Sequence, residues 1–213
     1  MISMNKATPS MAALRTAVAR FGPASGRSFE GSESFDGTDP QSCRTLLNWL
    51  NKWGCRIRTP RDGEEDVFAT GMAQWWGKYG GSLPDPHTEL ADLTDAEIDN
   101  AGECFGDLVV VTAGNPARPR TLGPTAASKT LYAFRPRALM PWDDAIASKL
   151  HGARDAAAFA AHQRLGRAWA TDIRQSTGLS GKQLAATLGD PERSLAKIFD
   201  DYCYLRFTRM EQL

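Results

Sequence analysis

Much of what usually classifies a chain is missing here, and each gap excludes something. No apolar run among the 213 residues approaches the roughly 18 that a membrane span needs, and no secretory-type apolar segment is present. A soluble, cytoplasmic protein that does not engage membranes is expected. Net charge is absent too, because 25 basic residues balance 25 acidic ones, so there is no global nucleic-acid signature. The four cysteines, Cys43, Cys55, Cys104 and Cys203, lack any C-x-x-C spacing. That argues against zinc and iron–sulfur sites and fits reduced thiols inside a cell. Only three histidines occur, His87, His151 and His162, each as readily core or surface as site. No metal and no cofactor is expected, and no internal repeat is visible.

What is there is helical periodicity. Leu46, Trp49, Leu50, Trp53 and Ile57 recur at the spacing of one helix face, and Phe68, Met72, Trp75, Trp76 and Tyr79 mark a second helix closed by Gly80-Gly81. Pro60 to Gly63 reads as the turn between them. Thr94 and Glu97 form a capping box that opens a helix with Ile98, Ala101, Phe105, Leu108 and Val109 inside. Leu108 to Val111 has some strand character, but without a partner it predicts no sheet. Ala113 to Pro124 is expected to be a loop. Further on, Ala158, Ala161, Leu165, Trp169 and Ile173 make a long stripe ending at Gly178. Ser180 and Gln183 form a second capping box, and Asp190-Pro191 reads as the start of the last helix, with Leu195, Ile198, Phe199 and Tyr202 inward. The fold class expected is all-α.

Residues 1–42 read as an arm and 43–213 as the helical body. Ser10 is placed to cap a short helix carrying Leu14, Val18 and Phe21. Gly22 to Pro40 is rich in Gly, Ser and acid, with Phe29 and Phe35 to pin it to the body. Charge is segregated along the chain. Seven acidic residues and no Lys or Arg lie between Glu89 and Asp107, while five basic residues and no acid lie between Gly114 and Arg137. Two readings are open: one basic face, or two solvated helix faces of opposite sign.

The most informative stretch runs from Thr121 to Ala147. Thr125 is a candidate N-cap, with Ala127, Leu131 and Phe134 on one face and Lys129 near the start. Pro136 ends that helix, because it lacks an amide and disfavours the α region at Arg135. Leu139, Met140 and Trp142 bridge to Asp143, where the next helix begins. An aspartate there serves as a cap whether or not it does anything else.

The run S-K-T-L-Y-A-F-R-P-R-A-L-M-P-W-D-D-A-I resembles the signature of prokaryotic proteins related to the helix-hairpin-helix DNA glycosylases, in particular the 8-oxoguanine DNA glycosylase-like branch. The resemblance implies a helical glycosylase-like domain acting on double-stranded DNA that carries an oxidised or otherwise modified base. It implies that Lys129 is the nucleophile and Asp143 the second catalytic group, with Asp144 competing for that role. A flipped-out base needs an apolar pocket, and Trp142 is either its wall or an ordinary core tryptophan. Arg135 and Arg137 would supply positive charge beside Lys129 and contact DNA. The Gly-hydrophobic-Gly of the family's hairpin is replaced by Leu122-Gly123-Pro124-Thr125, so phosphate contact falls to Arg118 and Arg120. A non-catalytic nucleic-acid-binding protein of the same fold, in phage defence or a mobile element, is the alternative. A plain helical interaction module is the third reading.

Overall fold

Short polar side chains set most of the helix starts, since their oxygens accept amides that a first turn leaves unpaired. The computed structural model describes residues 6–22, 29 and 35–213. Within these, Ser10 caps α1 (Met11–Phe21), Asp39 caps α2 (Pro40–Lys52) and Asp66 caps α3 (Val67–Tyr79). The capping box of Thr94 and Glu97 opens α4 (Asp95–Val109). After it come the strands β1 (Thr112–Asn115) and β2 (Arg118–Thr121), then α5 (Pro124–Phe134). Asp143 caps α6 (Asp144–His151), and Asp155 caps α7 (Ala156–Thr177), which Gly178 closes in the left-handed region. Ser180 and Gln183 box the start of α8 (Gly181–Leu188), and Ser194 caps α9 (Leu195–Cys203). The protein is mostly helical. No helix among the described residues is long and apolar enough to cross a membrane.

Several sequence expectations are corrected. The segment expected as a loop from Ala113 forms an antiparallel ribbon in which Ala113 pairs with Arg120 and Asn115 with Arg118. Leu108 and Val109, which carried some strand character in the sequence, end α4 instead, and the strand begins at Thr112, paired with Arg118–Thr121, a stretch too polar to read as a strand. α2 stops at Lys52, because Gly54 (φ 78°) turns the chain, so Ile57 lies outside the helix. Gly123, not Thr125, is the N-cap of α5, with Pro124 at the first helical position. Lys129 consequently sits in the second turn rather than near the start, beyond the reach of the helix dipole. Ser194 takes the cap expected of Asp190, and Asp190 instead accepts the Glu192 amide at 3.2 Å. On α7 Ala161 is exposed, and the buried face runs through Phe159, His162, Gln163 and Gly166. Gln163 accounts for that shift: its amide group meets both the N–H and the C=O of Met140, at 2.8 and 2.9 Å.

Packing centres on α4 against α7. A Cβ on Gly102 would lie 3.1 Å from the Ala156 carbonyl oxygen, so glycine is what allows the two helices this approach. Phe105 of α4 stacks on Phe159 of α7, with ring centres 4.4 Å apart. α1 packs on α8 and α9, burying Leu14, Ala17 and Val18. The boundary placed after residue 42 falls inside α2. The expected loop from Gly22 to Pro40 lies largely outside the described residues; of its two aromatic pins, both are buried, Phe29 against Trp49 and Phe35 against Phe134 and Trp76. The acidic run is spent on ion pairs rather than on a free face. Asp92 pairs with Arg174, Asp95 with Arg167 and Asp99 with Arg164, all three arginines lying on α7.

Candidate active site and nucleic-acid interface

α5 and α6 are joined by a buried serine. Ser128 Oγ donates to the Trp142 carbonyl at 3.0 Å and accepts the Trp142 amide at 3.3 Å. Because Lys129 follows Ser128 and Asp143 follows Trp142, this tie brings the two expected catalytic residues to the junction of α5 and α6. Both line one cavity of about 460 Å³. Lys129 Nζ donates to the Trp53 carbonyl at 2.8 Å and lies 5.4 Å from the centre of the Trp53 ring. Asp143 is half-buried and fully engaged: Oδ1 accepts the Ile146 amide at 2.8 Å and Oδ2 accepts the Thr208 hydroxyl at 2.6 Å. Asp144 is exposed, pairs with Arg154 and does not line the cavity, so position separates the two aspartates.

The cavity also holds charges that sequence reasoning missed. Lys197 on α9 is buried with its Nζ 5.1 Å from the Trp53 ring centre. It donates to Asp200 at 2.8 Å and to Asp201, while Arg193 donates to Asp201 at 2.9 Å. Burial alone disfavours the Lys197 ammonium, but the carboxylates of Asp200 and Asp201 outweigh that and raise its pKa. Burial, with the neighbouring Asp200 carboxylate adding to it, raises the Asp201 pKa, while Lys197 and Arg193 oppose. Helical spacing was the available signal: Lys197, Asp200 and Asp201 stand at i, i+3 and i+4, a self-neutralising set that can go inside.

The remaining expected residues do not converge. Trp142 is a core tryptophan, edge-on to Phe105 and Phe159, that shows only part of itself to the cavity. The aromatic walls are supplied instead by Trp53, Phe21 and Tyr204. Arg135 is half-buried and bonds the carbonyls of Pro84 and Phe134, and Arg137 pairs with Glu89 at 2.9 Å. Neither lines the Lys129 cavity. The other cations lining that cavity are Lys52 and Lys197, the latter paired with Asp200 and Asp201. Arg118 and Arg120 are exposed on β2 and line a separate groove beside it. The acid-free run therefore builds no single basic face. Among the described residues, no group of three or more His, Cys, Asp or Glu is placed to hold a metal ion.

Comparison with protein-family models, with curated proteins and with solved structures finds no match for this chain.

Proposed function

We propose that the chain is a DNA glycosylase, with lyase activity, of the helix-hairpin-helix kind, acting on duplex DNA that carries an oxidised or otherwise modified base. The observation that supports this reading is the shared cavity: Lys129 and Asp143, fourteen residues apart, face one aromatic-walled space. In its neutral form Lys129 Nζ gives its lone pair to the sugar C1′. The C1′–N bond breaks, and its electron pair leaves with the base, which takes a proton from water. A proton passes from Nζ to O4′ as the C1′–O4′ bond breaks, giving a protonated Schiff base; loss of the C2′ proton to water then expels the 3′-phosphate and nicks the strand. The Asp143 carboxylate stabilises positive charge developing on the sugar. Trp53 offers a face on which an everted base stacks.

Borohydride trapping over a panel of duplexes with different lesions tests this. Lys129→Gln should abolish both the trapped complex and the nick while leaving DNA affinity nearly intact. Asp143→Asn keeps an N-cap, since Asn and Asp cap about equally well, and should slow base release more than it weakens binding. Undiminished base release by Lys129→Gln rejects the nucleophile. No release across the panel with DNA binding intact returns the reading to a non-catalytic binder of nucleic acid, for which the arginines of β2 already speak.

A further inference from the structure

We propose that the groove between residues 55–58 and the β-ribbon grips the sugar–phosphate backbone of a nucleic-acid strand, with Arg56 and Arg58 facing Arg118 and Arg120. The inference rests on the nucleic-acid reading of the Lys129 cavity and adds to it a phosphate site and the loop that builds it. The groove is about 400 Å³ in volume, and all four arginines line it. Arg118 and Arg120 stand two apart on one strand, so they project from the same face of the ribbon. Among the described residues, Arg56, Arg118 and Arg120 make no ion pair. Elsewhere arginines are commonly paired, as Arg137, Arg154, Arg164, Arg167 and Arg174 are. Arg58 is held by both oxygens of Glu64 at 2.7 Å, and its second terminal nitrogen is buried without a partner. Three guanidiniums are thus left uncompensated around one groove, which complements a run of phosphates better than a single anion.

The loop is built for this at a cost. Arg56 has φ 54°, a left-handed conformation that long side chains disfavour and that collects at functional sites. A clamp beside it holds it there: Asn51 meets both the N–H and the C=O of Ile57 at 2.7 Å. Trp53 and Gly54 line the Lys129 cavity and Cys55 lines the groove. With about 3.8 Å between consecutive Cα atoms, the two sites are neighbours along one backbone. A strand held in the groove therefore presents its next nucleotide at the Lys129 cavity.

Fluorescence anisotropy of a labelled oligonucleotide over a salt series tests the groove without knowledge of the lesion. Arg56→Asn removes the charge while tolerating positive φ, and should lower the slope of log K against log salt by about one unit. Arg118→Ala with Arg120→Ala should lower it by about two. Lys182→Ala, an exposed cation outside the groove, should leave it unchanged. An unaltered slope in Arg56→Asn beside a lowered one in the ribbon variant overturns the two-sided groove. A wild-type chain that binds free mononucleotide but no oligonucleotide overturns both the groove and the DNA reading. Salt-dependent binding with the expected losses, but no base release, leaves the groove standing and sinks only the glycosylase.

Discussion

His162 is fully buried, with Nε2 3.3 Å from the Pro141 carbonyl oxygen and Nδ1 3.0 Å from His151 Nε2. A carbonyl can only accept, so His162 carries its proton on Nε2 and accepts at Nδ1 from His151. Burial, with His151 adding to it, pushes His162 down to about 3, and burial pushes His151 down to about 4. Both folded-state values lie below the ordinary 6.5, so the unfolded chain takes up protons first as pH falls. Their contribution to stability is complete above pH 6.5 and drains away toward about pH 4 for His151 and about pH 3 for His162, at up to about 1.4 kcal/mol per pH unit for each proton. Asp201, whose pKa burial raises above the ordinary carboxylate value, works in the opposite sense over most of that window and offsets part of the loss. Chemical denaturation from pH 7 to pH 4 should show falling stability in the wild type. His151→Gln, which keeps a donor and removes one titration, should fall less steeply. A wild-type curve flat over this window would mean that the pair does not stay neutral in the fold. The sequence offered these histidines no role, because their pairing spans α6 and α7 and depends on the Trp142 ring beside them.

At the level of elements, the legible parts were those where one local rule acts alone. Both capping boxes, the Pro136 stop and the Gly178 end follow from chemistry within four residues, and each is where the sequence placed it. The ribbon was not legible, since Arg118–Thr121 has exposed residues throughout and becomes a strand only by pairing with β1. The candidate site was half legible. The S-K and W-D dipeptides pointed to Lys129 and Asp143, but nothing local revealed that Ser128 binds Trp142 or that α9 brings Lys197 and Asp200 to the same cavity. Ser128 allows a test of how elements hold the site. Ser128→Ala leaves a buried N–H and C=O of Trp142 short of a partner, a loss of about 1–3 kcal/mol, and unties Lys129 from Asp143. Unfolding midpoints should fall accordingly, and the DNA nicking proposed above should drop at temperatures where the variant is still folded. Ser128→Thr, which keeps the hydroxyl, should recover stability only as far as the tight site admits a methyl group. Full stability in Ser128→Ala would show that the tie contributes nothing.

Over the whole molecule, the helical class was written in the spacing of apolar residues, whereas the way the N-terminal helix joins the body was not. Ser10 through Phe21 reads as a short amphipathic helix that needs some surface to cover, and the sequence does not say which. That surface is α8 and α9, where Leu14 and Ala17 become fully buried and Val18 nearly so. The connection extends beyond apolar contact. Arg193, of the buried charge cluster, donates to the Gly22 carbonyl, and Trp169 Nε1 donates to the Lys6 carbonyl at 2.9 Å. Phe21 reaches the Lys129 cavity, edge-on to Tyr204 and 5.5 Å below the Lys197 ammonium. A chain beginning at Asp39 keeps the cap of α2 but loses all of this. Burying a Leu or Val side chain stabilises by about 1.5–3 kcal/mol, so Leu14 and Val18 alone predict a loss of about 3–6 kcal/mol. The truncated chain should unfold at markedly lower urea and, on the proposed glycosylase reading, should lose base release, because one aromatic wall of the cavity is gone. Adding a separate peptide of residues 6–22 should restore part of both. Unchanged urea stability in the truncated chain would show that α1 is an appendage, and that α9 holds its buried Lys197 and Asp201 without it.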